Sequence, residues 1–363
     1  MAWVSGIVLL FLAIRLLVAL HNLITRQWLS SGTVNGAPLV SVLIPARNEA
    51  TNIGALLQSI QHQSYPHWEI IVYDDLSEDN TAQVVEGYTQ KDSRIRLLNG
   101  QALPDGWLGK NHACHNLASV AKGNLLLFID ADVVAYPKLI EQAVAHLQRY
   151  QLDLLSIFPQ QRMPTLGEKI TVPLMNWILL SLLPLELTRT SPNPSFAAAN
   201  GQFILFDAEV YRKYSFHQMV KNHRVEDIKI FQTLKTLKLK GYTVLSNGQV
   251  ACRMYAGFSD AVQGFSKNIF FFFFNSPIVA LLVALITTFG FVPLWFYPGG
   301  FWLAIWIAGE LLLRVVVAVA SRQNVVWQIV LWPLQQAAFL WMVLGAYRAK
   351  VFRTLQWKGR SIN

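Results

Sequence analysis

The sequence predicts an α/β domain with a mostly parallel sheet, plus N-terminal and C-terminal transmembrane α-helices. Short apolar runs alternate with helical patterns between residues 39 and 129, which is typical of a parallel sheet. Long apolar segments precede and follow this region. Only 14% of the 363 residues are charged and 53% are hydrophobic, whereas soluble domains carry roughly 25% charged residues. Part of the chain is therefore expected to lie in lipid.

The net charge of +9 comes without a basic low-complexity arm. It favours an anionic membrane surface and anionic substrates as partners. No nucleic-acid-binding motif accompanies the charge, so we expect no nucleic acid partner. The two cysteines, Cys114 and Cys252, imply no disulfide framework and suit a reducing compartment.

Residues 3–20 are apolar except for Arg15, and no small-residue cleavage site follows them. This run is too long for a signal-peptide core and just long enough to cross the ~30 Å hydrocarbon core of a bilayer. We expect an N-terminal transmembrane anchor over residues 1–24. Because Arg26 follows and no basic residue precedes it, the positive-inside rule places the next segment in the cytoplasm. The expected location is the cell membrane (inner or plasma membrane), with several passes and a cytoplasmic main domain.

Strands are expected at residues 39–45, 68–73, 95–98 and 125–129, and helices at about 52–63, 81–90 and 111–121. A dinucleotide dehydrogenase would share this alternation, but it would carry Gly-x-Gly-x-x-Gly after its first strand. Here that turn reads Pro-Ala-Arg-Asn-Glu, from Pro45 to Glu49. The dehydrogenase interpretation is therefore excluded. A P-loop is absent as well.

The last of these strands ends at an acidic pair, Asp130 and Asp132. In open α/β sheets, ligands bind outside the carboxyl ends of the strands. Two carboxylates there can hold a hard divalent cation and, through it, a diphosphate. The alternative is a turn in which both side chains cap the following helix. These two residues alone do not favour either interpretation.

Four motifs in order resemble the family 2 glycosyltransferases of GT-A fold, over residues 40–267. They are Val-Leu-Ile-Pro-Ala-Arg-Asn-Glu at 42–49, Asp-Asp-x-Ser-x-Asp-Asn-Thr at 74–81, Asp-Ala-Asp at 130–132 and Glu-Asp at 226–227. The resemblance implies a GT-A nucleotide-sugar-binding domain, which we expect at residues 38–268.

Further motifs are similar to the carotenoid glycosyltransferase branch of that family, of hydroxychlorobactene and diaponeurosporenoate type. They are Gly-Trp-Leu-Gly-Lys-Asn-His-Ala-Cys at 106–114, Gly-Gln-Phe at 201–203, Arg-Met-Tyr at 253–255 and Trp-Lys-Gly-Arg at 357–360. Enzymes of this branch place a sugar on a long apolar acceptor.

The resemblance implies a nucleotide-sugar donor whose nucleotide is lined by Pro45, Arg47 and Glu49. It also implies that Asp75, together with Asp74, binds the base. A carboxylate at a strand end can accept a hydrogen bond from the uracil N–H. The alternative for these two aspartates is a capping and turn-forming role.

The resemblance further implies that Asp132, and less directly Asp130, binds Mg²⁺ or Mn²⁺ at the donor diphosphate. Such a cation would offset charge on the leaving nucleotide. Lys110 would neutralise the same phosphates, or it is an ordinary solvated lysine at a helix start. Lys267 is a further cation for the diphosphate. It lies in Gln-Gly-Phe-Ser-Lys-Asn, residues 263–268, where processive members carry Gln-x-x-Arg-Trp, and this departure argues against a polysaccharide synthase.

Asp227 is the expected general base of an inverting transfer. One carboxylate must take the proton of the acceptor hydroxyl as that hydroxyl attacks the anomeric carbon. Glu226 is expected to face elsewhere on the same helix. The alternative is an acid pair that favours a helix N-terminus. The other acceptor-side candidates are Gly201, Gln202, His217, His223 and Glu226.

His112, Cys114 and His115 invite a zinc interpretation, but no second ligand pair at a set spacing accompanies them. We interpret them as helix and pocket residues.

Residues 170–187 are apolar but broken by Pro173 and Pro184. This pattern indicates either an interfacial amphipathic segment near the acceptor entrance or a buried loop and helix of the main domain. Both alternatives stay open on the sequence.

Residues 269–346 are expected to hold C-terminal transmembrane helices, at 277–295, 301–320 and 325–346. Glu310 and Arg314 share a helix face and are expected to pair inside the bundle. Four crossings in all would place the basic tail, residues 347–363, outside, against the positive-inside rule. The last segment contains Pro333 and is the candidate for a re-entrant or interfacial one.

The sequence therefore predicts a membrane-bound, metal-dependent, inverting glycosyltransferase. It would move one hexose, expected to be glucose from UDP-glucose, to the hydroxyl or carboxyl of a carotenoid or similar lipid acceptor. The same chemistry on a polyprenyl phosphate, a hopanoid or a glycerolipid is the alternative. A non-catalytic membrane scaffold of the same fold is a third hypothesis, and the presence of Asp75, Asp132 and Asp227 counts against it.

Overall fold

A computed structural model describes residues 2–298, 300–352, 356–357 and 360–361. The strands are β1 Val40–Ala46, β2 Trp68–Asp74, β3 Ile95–Asn99, β4 Leu125–Ile129, β5 Val133–Ala135, β6 Leu154–Phe158, β7 Gln160–Gln161, β8 Phe203–Asp207, β9 Gly241–Leu245, β10 Val250–Cys252, β11 Gln356–Trp357 and β12 Arg360–Ser361. Part of the predicted basic tail, residues 347–363, and part of the motif at 357–360 lie outside the described residues.

The helices follow the same chain order. They are α1 Ala2–Thr25, α2 Ile53–Gln61, α3 Thr81–Thr89, α4 Gly109–Val120, α5 Leu139–Tyr150, α6 Leu166–Thr171, α7 Pro173–Leu182, α8 Leu187–Thr190, α9 Ala208–Tyr214, α10 Phe216–Met219, α11 Glu226–Thr236, α12 Phe258–Asn268, α13 Pro277–Phe289, α14 Phe291–Trp295, α15 Phe301–Ala320, α16 Val325–Val330 and α17 Trp332–Phe352. Short 3₁₀ helices lie at Pro194–Phe196 and Ile269–Phe273.

The chain divides into two compact units. The first, called here the sheet unit, comprises residues 27–160 and 185–252. The second, called the helical unit, comprises residues 1–26, 161–184 and 253–363. We expected one domain over residues 38–268. In the structure, residues 161–184 and 253–268 of that range group with the terminal helices instead.

The sheet unit is built on a seven-stranded sheet of order β3-β2-β1-β4-β8-β6-β9. Strands β3, β2, β1 and β4 run parallel to one another, and β6 runs parallel to β9. Only β8 is antiparallel to both of its neighbours, β4 and β6. The predicted mostly parallel sheet is confirmed.

The central strand β4 is buried along its whole length, because helices cover both faces of a parallel sheet and leave no solvent-facing side. Alternate residues such as Leu126 and Phe128 join one apolar cluster with Ala113 and Leu117 of α4 and with Phe231 of α11. This packing fixes the height of β4 in the sheet and hence the position of the acidic residues that follow it.

Among the described residues of the helical unit, three helices are long and apolar enough to cross a membrane: Ala2–Thr25, Pro277–Trp295 and Phe301–Ala320. The fourth segment, predicted at residues 325–346, is interrupted near Leu331 between α16 and α17. It is not among these candidate spans.

The predicted interfacial segment at 170–187 contains α7, which is largely buried within the helical unit. Its Trp177 is 1% exposed and its Ser181 is fully buried. The side chain of Ser181 accepts a hydrogen bond from Arg15 Nη2 of α1 at 2.8 Å. The structure thus favours the buried-helix alternative, with the difference that α7 packs among the helices rather than in the sheet unit.

A buried polar cluster connects three helices of this unit. The Arg15 and Arg314 guanidinium carbons lie 4.0 and 4.6 Å from the ring centroid of Trp177. Glu310 was expected to pair with Arg314. In the structure its carboxylate lies 3.7 Å from Arg15 Nη1 of α1, while Arg314 donates a 2.5 Å hydrogen bond to Gln335. The ionic contact therefore joins α1 to α15 rather than two residues of one helix.

Candidate active site

One edge of the sheet collects the acidic motifs. Strands β1, β2 and β4 end there, because Ala46 pairs with Asp74 and the β1–β4 register is parallel. Since β8 is antiparallel, its first residue, Phe203, pairs with Ile129, the last residue of β4. The register therefore places Gly201 and Gln202 beside Asp130 and Asp132, although some 70 residues separate them in sequence.

The two carboxylate oxygens of Asp132 differ, because one accepts a hydrogen bond and the other has no hydrogen-bond partner. Its Oδ2 accepts a 2.9 Å hydrogen bond from Gln202 Nε2. Its Oδ1 is buried without a hydrogen-bond partner. Burial first, and then the neighbouring charges of Asp130 and Glu49, raise the pKa of Asp132 to about 7. A buried carboxylate oxygen with no donor is a position where a cation would replace the missing hydrogen bond.

A divalent cation fits this oxygen. Within the described residues, no three His, Cys, Asp or Glu side chains gather as a ready-made metal cage. Mg²⁺ is ordinarily held by one or two carboxylates together with substrate phosphates and water, so a single aspartate suffices. The capping alternative fails in the structure: β5 follows Asp132, and α5 begins only at Leu139 without a side-chain cap.

Lys110 lies between carboxylates of the site, and its role toward the donor phosphates stays a prediction. Its Nζ lies 2.9 and 3.0 Å from the two carboxylate oxygens of Asp130 and 3.1 Å from Glu226 Oε1. Burial lowers the pKa of Lys110, but the two carboxylates outweigh it and raise that pKa well above its usual value. Asp130 is therefore paired with Lys110, and its role as a metal ligand stays a prediction. Lys110 also links the central strand to the acidic pair of α11.

Gly201 lies next to the charged groups of Lys110, Glu226 and Asp227. Its N–H donates a 2.9 Å hydrogen bond to Asp227 Oδ2. A Cβ at this position would lie 3.0 Å from Lys110 Nζ, 3.2 Å from Glu226 Oε1 and 3.6 Å from Asp227 Oδ2. The expectation that Glu226 faces away from Asp227 is therefore corrected, because both carboxylates reach the same glycine.

Asp227 is held at the start of α11. Its Oδ1 accepts a hydrogen bond from the N–H of Ile228 at 2.7 Å, and its Oδ2 accepts the one from Gly201. Burial, followed by the charge of Glu226, raises the pKa of Asp227 to about 7, against the lowering effect of these hydrogen bonds and of Lys110. A carboxyl with such a pKa can exchange a proton near neutral pH.

The predicted donor-side residues lie around the ends of β1 and β2. Arg47 Nη1 donates to the carbonyl of Asp75 at 2.7 Å, and the N–H of Asp75 donates to Ala46 at 2.8 Å. Pro45 is the penultimate residue of β1, and the N–H of Glu49 donates to Thr81 Oγ1 at 2.8 Å.

Asp74 and Asp75 are 8% and 4% exposed. Asp74 Oδ2 accepts a long 3.3 Å hydrogen bond from the N–H of Ser77. The turn-forming alternative therefore describes part of what Asp74 does. The base-binding role of the pair stays a prediction.

The two predicted acceptor-side histidines differ in their surroundings. His217 is 2% exposed, lies 4.6 Å from the ring of Phe128 and contacts the hydroxyl of Tyr211 through Nδ1 at 2.8 Å. Burial lowers its pKa to about 3. It is a buried, neutral histidine packed against apolar residues, whereas His223 is exposed three residues before Glu226. The acceptor-side role of both histidines stays a prediction.

Two further residues support the site without having been predicted. Asn111 Nδ2 donates to the carbonyls of Val220 and His223 at 2.9 and 3.0 Å and so holds the loop before α11. Cys252 Sγ contacts Gln202 Oε1 at 3.1 Å, which orients the amide that binds Asp132. Both lie in segments whose local pattern indicates only a helix start or a strand. Lys267 belongs to α12 of the helical unit, and its role stays a prediction.

The comparisons with known proteins agree with this architecture. Residues 41–215 match the family described as glycosyl transferase family 2. The match agrees with the resemblance to family 2 glycosyltransferases of GT-A fold that the sequence predicted.

Two curated relatives are each described as a 4,4'-diaponeurosporenoate glycosyltransferase. The one from Staphylococcus haemolyticus (strain JCSC1435) is 27% identical over 233 residues, which are 63% of this chain and 60% of the relative. The one from Staphylococcus aureus (strain USA300) is 28% identical over 279 residues, or 74% of this chain and 71% of the relative. The predicted resemblance to carotenoid glycosyltransferases is thereby confirmed.

A solved structure supports the fold. A mannosyltransferase from Pyrobaculum calidifontis, in complex with GDP-Man and Mn²⁺, superposes with a TM-score of 0.58 at 16% identity. The superposition covers 97% of this chain and 99% of that one.

Proposed function

We propose that this chain is a membrane-bound, divalent-metal-dependent, inverting glycosyltransferase. It transfers one hexose, with UDP-glucose as the proposed donor, to a carotenoid or a similar apolar lipid. The observation that carries this proposal is the joint placement of Asp132 and Asp227 at one edge of the sheet, with Gly201 and Gln202 holding one carboxylate each. The names of the two curated relatives support the choice of acceptor.

Asp132 is the proposed protein ligand of the cation. When bound, the cation supplies Lewis-acid stabilisation of the negative charge on the leaving diphosphate. Gln202 fixes the side chain of Asp132 through Oδ2 and so directs the bare Oδ1 toward the donor. The solved mannosyltransferase holds Mn²⁺ and GDP-Man, which supports a metal-assisted nucleotide-sugar reaction in this fold.

Asp227 is the proposed general base. For a hydroxyl acceptor, the acceptor oxygen forms the new bond to the anomeric carbon while the bond from that carbon to the diphosphate oxygen breaks. The hydroxyl proton passes to the Asp227 carboxylate, and the nucleoside diphosphate leaves with the bonding electron pair. Attack from the opposite side inverts the anomeric configuration.

A carboxyl acceptor changes what Asp227 must do. A free carboxyl group is ionised at neutral pH, since its ordinary pKa lies near 4, and it needs no base before attack. Asp227 is therefore essential for a hydroxyl acceptor and much less so for a carboxylate. This difference distinguishes the two acceptor chemistries.

The membrane placement follows from three proposed crossings: α1, residues 277–295 and α15. With an odd number of crossings after an outside N-terminus, both the sheet unit and residues 347–363 lie in the cytoplasm. Five basic residues and no acid occur from Ala346 to Asn363, which fits the positive-inside rule. We therefore place the enzyme in the cell membrane, with the sheet unit in the cytoplasm.

The test is release of the nucleoside diphosphate by the purified full-length chain in detergent with UDP-glucose and Mn²⁺. Parallel reactions contain a hydroxylated carotenoid, a carotenoid carboxylate, a polyprenyl phosphate, a hopanoid alcohol or a diacylglycerol. We expect release with a carotenoid and its loss with EDTA or in Asp132→Asn. Asp227→Asn should abolish release with the hydroxyl acceptor and spare most of it with the carboxylate.

The matched control is Asp207→Asn. Asp207 pairs with Leu125 at the opposite end of β4, and asparagine can replace it as the N-cap of α9. Its activity should equal that of the native chain. If the nucleoside diphosphate is released with another lipid class but with neither carotenoid, that lipid class replaces the carotenoid as the proposed acceptor. No release with any donor, metal or lipid would favour the non-catalytic scaffold.

A further inference from the structure

A cleft in the helical unit has no role in the proposed transfer reaction. It has a volume of about 320 Å³ and lies between α13, α14, α15 and the start of α17. Its walls include three indole rings, those of Trp295, Trp306 and Trp332. The Trp306 and Trp332 ring centroids are 5.8 Å apart. We call it the tryptophan cleft.

Polar atoms without partners line this apolar cleft. Gln336 is 4% exposed, and both its Nε2 and its Oε1 are buried without a hydrogen bond. Trp332 Nε1 and Thr288 Oγ1 are likewise buried and unpartnered, and all three residues line the cleft. A buried amide with neither group satisfied is costly, and in the hydrocarbon of a bilayer no bulk water can supply the missing bonds.

The chemistry of the lining defines the ligand. Among the described residues, none that lines the cleft carries a charge. A phosphate or a carboxylate would therefore find no counter-ion there. An amide supplies one donor group and one acceptor, the indole a donor, and the threonine hydroxyl both. A hydroxyl group can accept a hydrogen bond from Trp332 or Gln336 and donate one to Gln336 Oε1.

The size of the cleft limits how much of a ligand it holds. Its volume is at the lower end of the range for ligand pockets, enough for one end of a long lipid. The residues at its outer side are exposed, with Trp295 at 69% and Phe291 at 39%. An apolar chain can therefore extend from the cleft along the outer surface of α14.

We propose that the tryptophan cleft binds the hydroxyl end of an uncharged, long-chain lipid alcohol, with Gln336 as its main hydrogen-bonding partner. This site is independent of glycosyl transfer, and its test uses neither donor nor metal.

The experiment is photo-crosslinking of the full-length chain in lipid nanodiscs. The probe is a long-chain alcohol with a diazirine next to its hydroxyl end, and the comparison probes are the fatty acid and the alkane of the same length. We expect the alcohol to label residues 287–307 and 332–337 at least about fivefold more than either comparison probe. Gln336→Leu, which keeps the side-chain volume, should reduce this labelling about tenfold, as for two lost hydrogen bonds.

Two other variants make the test decisive. Ala337→Phe narrows the cleft from its exposed side without altering a buried residue and should also abolish labelling, even if Gln336→Leu folds poorly. Gln328→Leu changes a buried glutamine outside the cleft and should label like the native chain. Equal labelling by the three probes would show that the probes label the cleft only as ordinary surrounding lipid does. Unchanged labelling in both Gln336→Leu and Ala337→Phe would show the same. Either result would overturn the proposal.

Discussion

Gly201→Ala is the substitution whose effect the structure defines most closely. Gly201 lies among Lys110, Glu226 and Asp227, and its missing side chain leaves the space in which their charged atoms meet. The added methyl group would lie 3.0 Å from Lys110 Nζ. No backbone strain contributes, since Gly201 is not among the residues with positive φ.

The expected magnitude follows from this distance. Ordinary contact begins near 3.4 Å, so Lys110 Nζ must retreat by about 0.4 Å. This shift lengthens its 3.1 Å contact with Glu226 and displaces the carboxylate beside Asp227. Since a misplacement of ~1 Å can cost ~100-fold in rate, we expect kcat to fall about tenfold. The fold should lose less than about 1 kcal/mol, because a flexible, partly exposed lysine can move.

The assay compares steady-state kinetics with thermal unfolding of the same preparations. Gly87→Ala is the matched control, because Gly87 lies on α3 with nothing within 4 Å of its would-be Cβ. It should leave kcat unchanged and raise stability by up to ~1 kcal/mol. If Gly201→Ala keeps native activity, or loses activity only in proportion to a lowered melting temperature, the positioning role of Gly201 is refuted.

Three further outcomes are expected. For a hydroxyl acceptor, kcat/KM should rise with pH and level off above about pH 7. Asp227 must be ionised to accept a proton, and burial raises its pKa to about 7. A flat profile of kcat/KM from about pH 5.5 to 8 would contradict this. The charged groups facing Asp227 are Glu226 and Lys110, and since its pKa is raised on folding, its contribution to stability is greatest at low pH and is lost as the pH rises through about 7. Arg15→Met should destabilise the chain in detergent by about 3–5 kcal/mol, because it removes the cation in ionic contact with the buried Glu310 carboxylate. Adding Glu310→Gln should recover most of that loss. Equal melting temperatures for the single and double variants would show that the pair has no such role. A tag after Asn363 should be protected from protease in right-side-out vesicles together with the sheet unit, and digestion of the tag alone would exclude three crossings.

The sequence predicted the sheet well because its signals are local. The run at 125–129 is continuous and apolar, as expected for a strand covered on both faces, and it forms β4 with the predicted bounds. The position of the acidic residues after β2 and β4 could also be predicted, because a parallel sheet brings the carboxyl ends of its strands to one edge. These inferences need no knowledge of which strands are neighbours.

The partners of the site residues depend on long-range pairing and were harder to predict. Lys110 faces Asp130 and Glu226 because α4 packs on the sheet beside α11, a contact over more than a hundred residues. His217 has both polar and apolar neighbours in the sequence, and the structure places its ring 4.6 Å from that of Phe128. Glu226 and Asp227 converge because Gly201 has no side chain to separate them.

The helical unit shows the same limit of local pattern. Glu310 and Arg314 are correctly placed on one helix face by their spacing, but the spacing carries no information about α1. Arg15 supplies the contact at 3.7 Å. A single charge in an apolar helix therefore indicates that a partner exists, and only the tertiary structure identifies it.

The contact between Arg15 and Glu310 also has a consequence for biosynthesis. The two residues are 295 positions apart, so at about 5–20 residues per second Arg15 emerges roughly 15–60 s before its carboxylate partner. Ser181 and Trp177 are made earlier and contact Arg15 first, so α7 can shelter the guanidinium while the rest of the chain is translated. The order of synthesis thus provides Arg15 with a neutral hydrogen-bond partner before the carboxylate of Glu310 emerges on α15.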